Sequence, residues 1–252
     1  MARIADVKTN SPSVRTDLET RIPSQGFLMD ELEKNMLVET FRHIKRPLLR
    51  KAMGRGLSGI IENQNVIMIV SAHPAEGKTF VSANLATSIA AEKDKEVLLI
   101  DADIARSSIS RYFDIQSDNG FVEYLLGESS LADVTVKTDK SNFNIVPAGR
   151  RFEHTTELFA SKNTQKLVRD LATEKQNRVI IIDSPPLFAA SEALSLAELA
   201  GQVVVVVESG SKPKELKEAL GMLDLSRVTG TIFNKSLKFS MPYYYGYGLE
   251  DR

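Results

Sequence analysis

The chain contains no cysteine. Disulfide frameworks, thiolate nucleophiles and cysteine-based metal sites are therefore excluded, and the absence suits a cytoplasmic protein. The three histidines, His43, His73 and His154, lie far apart, with no paired spacing for a metal. Charge of one sign is missing too: the net charge is −1 over 252 residues. No bulk attraction to nucleic acid or to an anionic membrane is expected, although a local basic patch stays open. No apolar run is long enough to span a bilayer, and Met1 to Lys8 has no apolar signal core, so direct membrane insertion is not expected. No internal repeat is present. The length fits one large α/β domain with appendages.

What the chain does have is concentrated in Val66-Ile67-Met68-Ile69-Val70-Ser71-Ala72-His73-Pro74-Ala75-Glu76-Gly77-Lys78-Thr79. A short run rich in Val and Ile leads into a loop, the loop ends in Gly-Lys-Thr, and a helical segment follows from Phe80 to Ala91. Strand, loop, Gly-Lys-Thr and helix together form the context in which a P-loop works. Backbone N–H groups of the loop and the helix N-terminus face an anion. Lys78 brings positive charge to β/γ-phosphates, Thr79 brings a hydroxyl to Mg2+, and Gly77 lets the backbone come close. The nucleotide cradle expected from this stretch is Ala75, Glu76, Gly77, Lys78, Thr79 and Phe80. Ala72 stands where the pattern's first glycine usually is.

The rest of the chain alternates strands and helices. Residues 1–30 are polar and read as a flexible leader. Residues 31–53 read as a helix, with Leu32, Met36, Val38, Phe41, Ile44 and Leu48 at roughly helical intervals and a kink or interruption expected at Pro47. Its charged residues Glu39, Arg42, Lys45 and Arg46 suit a solvated face. Strands are expected at 96–100, 143–146, 178–182, 203–207 and 228–233, and helices at 157–173, 191–200 and 212–223, with short helical segments over 108–127. Continuous apolar runs of this kind suit parallel strands covered on both faces. The expected fold is α/β: a P-loop NTPase with a mostly parallel sheet and helices on both faces. Right-handed crossovers then bring every strand's C-terminus to one edge. That edge would collect the P-loop, Asp101, Asp103, Asp183 and Asn234.

These acidic strand ends have a chemical use. Mg2+ bound with a nucleotide takes few protein oxygens and keeps waters. Asp183, just past 179–182, fits a Walker B role beside Thr79. Asp101 and Asp103 form a second acidic wall, in which one carboxylate sits near the metal and the other accepts a proton from an attacking hydroxyl. Residue spacing leaves their order open. It also leaves open a structural pair that caps the helix beginning near Ser107. Four of the six tyrosines, Tyr243, Tyr244, Tyr245 and Tyr247, fall in the last ten residues, among Pro and Gly. Residues 236–252 read as a flexible tail. The tail is either a docking segment or a phosphoacceptor, whose added charge of about −1.5 to −2 per phosphate would be repelled by the acidic site.

With these motifs in place the chain resembles the bacterial tyrosine kinases (BY-kinases), and most of all the soluble branch encoded with exopolysaccharide machinery. The resemblance runs from about residue 31 to the end. It rests on the Pro-x-Glu-Gly-Lys-Thr loop, the Leu-Ile-Asp-Ala-Asp and Ile-Ile-Asp-Ser-Pro-Pro strand ends, and the tyrosine tail. It implies ATP-dependent autophosphorylation of that tail, in trans within a ring-like homo-oligomer. It further implies a separate membrane partner, a polysaccharide chain-length protein that activates the kinase. The family's Glu-x-x-Arg-x-x-Arg association motif corresponds to Glu39, Arg42 and Lys45. Its Asp-x-Asp-x-Arg motif meets Ala105, with an arginine one position later at Arg106. Asn234 is the implied candidate for adenine recognition. Two rival readings share the fold: a partition- or division-type switch ATPase, and a non-catalytic nucleotide-binding regulator. Against the first, His73 occupies the position of the lysine that such ATPases extend across a dimer.

Overall fold

The computed structural model describes residues 31–54 and 62–236. The 1–30 leader and the tail beyond 236, with Tyr243, Tyr244, Tyr245 and Tyr247, lie outside the described residues. The apolar runs become strands buried on both faces: β1 (Val66–Ser71), β2 (Glu96–Asp101), β5 (Arg178–Asp183) and β6 (Gln202–Glu208). Two short strands, β3 (Val136–Lys137) and β4 (Phe143–Val146), lie on one flank, and β7 (Val228–Asn234) on the other. Among the described residues the seven strands form one sheet in the order β3-β4-β2-β5-β1-β6-β7. All pairs are parallel except β3 with β4. The expected mostly parallel α/β sheet is therefore the one found.

Alternation along the strands divides the core in two. Ile67 and Ile69 face α1 (Glu31–Ala52), α2 (Lys78–Ala90) and α3 (Ser108–Phe113). Val66, Met68 and Val70 face α4 (Phe121–Leu126), α6 (Thr155–Ala160), α7 (Lys162–Glu174), α8 (Glu192–Leu199) and α9 (Pro213–Gly221). A further short helix, α5 (Leu131–Val134), precedes β3. Phe121, Phe143 and Phe159 are fully buried, and burial of such side chains is each worth roughly 1.5–3 kcal/mol.

Three local expectations are corrected. The helix read over 157–173 is two helices, α6 and α7, broken at Ser161. Ser161 is extended, and its hydroxyl accepts from Thr164 N at 3.1 Å, an N-cap that restarts the helix. α1 runs through Pro47 without interruption. Phe41 and Leu48 are buried against the α2 layer on either side of the proline, which itself is exposed. Tertiary packing outweighs the lost hydrogen bond there. Finally, Lys45 does not join the solvated face of α1. It is 6% exposed, donates to Ser88 O at 2.7 Å and pairs with Glu92 at 2.5 Å. It thus anchors α1 on α2.

Candidate active site

Because β1, β2, β5, β6 and β7 run parallel, their C-terminal ends share one edge of the sheet. The loop after β1 turns there on two left-handed residues, Ala75 (φ 65°) and Gly77 (φ 99°), and α2 begins at Lys78. Gly77 is required twice over. Its φ is disfavoured for other residues, and a Cβ would lie 1.9 Å from Asn234 Nδ2. That same Nδ2 donates to Glu76 O at 2.9 Å. Asn234, the adenine candidate, therefore grips the phosphate loop with one of its amide hydrogens.

The first turn of α2 meets the end of β5. Thr79 Oγ1 donates to Asp183 Oδ2 at 2.7 Å, and Ser82 Oγ donates to Asp183 Oδ1 at 3.0 Å. Ser82 was not singled out from the sequence; its place one turn after Thr79 was the available signal. Asp183 is 1% exposed, and burial pushes its carboxyl up to about 6, against the pull of the Thr79 hydroxyl and of Lys78. Asp101 stands opposite Asp183 in the register of β2 with β5. Burial pushes Asp101 well above the usual carboxylate range, and the Asp183 charge adds to this. Both Asp101 oxygens accept backbone N–H groups, from Asp103 at 3.1 Å and from Ile109 at 2.9 Å. Asp101 thus meets the description of the helix-capping alternative. Asp103 is different. Its carboxyl is raised by burial and, less, by the Glu192 charge, and lowered by the Lys78 and Arg106 charges and by the Arg106 backbone N–H it accepts. Neither Glu192 nor Arg106 belonged to the expected catalytic set. The Lys78 ammonium is lowered by burial and raised by Asp183 and Asp103.

The remaining candidates fall as follows. The Phe80 ring packs edge-on against Phe41, with centroids 6.2 Å apart, so only its backbone belongs to the cradle. Glu39 and Arg42 are exposed and pair with each other, while Lys45 is turned inward. His73 Nε2 lies 3.1 Å from Glu215 Oε2 of α9, and its ring stands edge-on to Phe188. The position of the rival's bridging lysine is thus held within this chain. A cavity of about 1030 Å³ opens beside Asn65, Lys95 and Arg46 at the N-terminal edge of the sheet, away from the candidate site residues.

The donor set suits Mg2+ with a nucleotide. Thr79 and Asp183 supply hard oxygens beside a buried lysine. Among the described residues no three His, Cys, Asp or Glu groups converge as a self-sufficient metal site.

A parallel sheet, a left-handed glycine before a buried Gly-Lys-Thr lysine, and an aspartate bound to the threonine define a P-loop nucleotide-binding protein. A family model described as AAA domain matches residues 64–224. The tyrosine-protein kinase ptk of Acinetobacter johnsonii is 34% identical over 182 residues, 71% of this chain and 24% of that protein. The tyrosine-protein kinase YwqD of Bacillus subtilis is 33% identical over 240 residues, 93% of this chain and 96% of that protein. The solved kinase domain of the Escherichia coli tyrosine kinase ETK superposes with a TM-score of 0.69 at 30% identity, covering 83% of this chain and 80% of that one. The chain thus spans about a quarter of the Acinetobacter relative and nearly the whole of the Bacillus one. It belongs to the bacterial tyrosine-protein kinase family.

Proposed function

We propose that the protein is an ATP-dependent tyrosine autokinase that phosphorylates Tyr243, Tyr244, Tyr245 and Tyr247 of a second copy of itself. The observation that carries this is the meeting of Lys78, the Thr79–Asp183 pair and Asp103 at one sheet edge. Bound Mg2+ would be held by Thr79 and Asp183, and would neutralise charge on the β/γ-phosphate oxygens. Lys78 balances the remaining phosphate charge, and the amides of Ala75 to Phe80 cradle the phosphates. Asp101 accepts two backbone amides and belongs to the acidic wall. Asp103, with the Lys78 and Arg106 charges acting on its carboxyl, is the proposed base. In the transfer, the bond from the γ-phosphorus to the ADP oxygen breaks, a bond to the tyrosine oxygen forms, and the tyrosine proton passes to Asp103. Arg106 lies near both Lys78 and Asp103 and supplies a further positive charge on that side. Asn234, whose amide holds the loop at Glu76 O, is the proposed adenine contact.

The partner of each site is a neighbouring copy, associated through the exposed Glu39–Arg42 face of α1. Among the described residues no helix is long and apolar enough to cross a membrane. The proposed activator is a membrane polysaccharide chain-length protein, and the process served is exopolysaccharide production. The test is intact mass of the purified chain after incubation with Mg·ATP and a candidate activator tail. Steps of one phosphate, mapped to residues 236–252 and absent in Lys78→Met, are expected. ATP hydrolysis without phosphotyrosine would overturn the proposal in favour of a switch ATPase.

A further inference from the structure

Glu76 is the residue of the phosphate loop whose presence is hardest to explain by phosphate binding. It puts a carboxylate two residues before Lys78, in a loop that must welcome anions. Its charge is close enough to Lys78 to raise that ammonium. Yet Glu76 is 3% exposed, so its side chain is built into the protein rather than left in solvent.

Its contacts say what it is built into. Oε2 accepts from His73 N at 2.8 Å, which closes a ring around Pro74 and the left-handed Ala75. Oε1 accepts from Glu208 N at 3.4 Å, at the end of β6, and from Ser211 Oγ at 3.2 Å, in the turn that leads to α9. The turn is tied in its own right to the end of β7, since Ser209 N donates to Asn234 O at 2.8 Å. Asn234 Nδ2 in turn donates to the Glu76 carbonyl. Loop, turn and strand end thus form a closed triangle of hydrogen bonds. A non-glycine residue at positive φ persists only where its surroundings over-determine it. Here the Glu76 carboxylate supplies that determination, and its three donors offset the cost of burying the charge.

We infer that Glu76 is a positioning residue: its carboxylate sets the shape of the phosphate loop and couples nucleotide binding to the β6–α9 turn. The inference rests on the nucleotide reading of this edge. It makes no use of the tyrosine chemistry.

The test is titration of the full chain with a fluorescent methylanthraniloyl derivative of ADP plus Mg2+, alongside hydrogen exchange at Glu208–Ser211. Wild type should bind the probe, and binding should slow exchange in the turn. Glu76→Ala should weaken binding about tenfold and abolish that slowing. Glu76→Gln, which turns an N–H toward donors, should fall between the two. Ser211→Ala should weaken binding roughly threefold, and the double variant should be no worse than Glu76→Ala alone, as expected for members of one network. Should Glu76→Ala fail to show a cooperative melt, Ser211→Ala and the wild-type exchange pattern decide. Binding within twofold of wild type in both single variants, effects that multiply, or a turn that ignores nucleotide would overturn the inference. If wild type itself does not bind, the reading of the site fails with it.

Discussion

Asp183→Asn should make the nucleotide-free protein more stable at neutral pH while removing its use of Mg2+. Asp183 is buried, and its carboxyl titrates at about 6 in the fold against the ordinary 3.8. Between these values the folded chain holds a proton that the unfolded chain has lost. Stability therefore falls as pH rises from about 4 to 6, and the loss is complete above 6. A difference of 2.2 pKa units corresponds to about 3 kcal/mol at 1.36 kcal/mol per unit. Asparagine carries no charge to bury, so it avoids this loss. It does leave one of the two hydroxyls, Thr79 or Ser82, without its present acceptor, at a cost of about 1 kcal/mol. The net gain at pH 8 is about 2 kcal/mol, or roughly 4–8 °C in melting temperature for a chain of this size. Thermal melts of both proteins between pH 4 and pH 8, without nucleotide, read this directly. The curves should converge or cross near pH 4 and separate as pH rises. A variant that melts lower than wild type at pH 8 would refute the reasoning, as would a pH-independent gap.

Two further outcomes follow from the geometry. Gly77→Ala should lose nucleotide binding and about 2–3 kcal/mol of stability, from the left-handed φ and from displacement of Asn234 off Glu76; adding Asn234→Ala should relieve the overlap but not restore binding, as calorimetric titration would show. Lys45→Met should lower the melting temperature and speed proteolysis within α1 without changing oligomer size, whereas Arg42→Glu should change the size and leave melting within a degree or two. Size-exclusion chromatography with light scattering separates the two.

The sheet was legible because its strands are continuous apolar runs ending in charge or in the phosphate loop. Val203 to Val207 and Val179 to Asp183 leave little choice but a buried parallel strand. The carboxylates were legible for the same reason, since each directly follows such a run. What escaped the sequence depends on contacts between distant segments. Helical periodicity continues across Ser161, so the break there becomes visible only with its cap. β3 has two residues, too short for any period. Lys45 looks like one more charge on an exposed helix until Ser88 and Glu92 are beside it. The sequence does not show that Asp101 takes the amides of Asp103 and Ile109, because the partner at Ile109 is brought to it only by the turn into α3. Glu76 reads as one more residue of the nucleotide cradle, and the partners that reveal its other role lie more than 130 residues away at Glu208 and Ser211.

In the proposed function the P-loop edge of one copy phosphorylates the tyrosines of another. Mixing two inactive-by-design halves tests it most directly. One chain carries Lys78→Met with its tyrosines intact; the other keeps Lys78 but has phenylalanine at positions 243, 244, 245 and 247. Each is incubated with Mg·ATP and the activator tail, alone and together, and phosphate is located by peptide mass. Phosphotyrosine is expected on the Lys78→Met chain in the mixture and on neither chain alone. An unmodified Lys78→Met tail in the mixture, while the other chain consumes ATP, would contradict it.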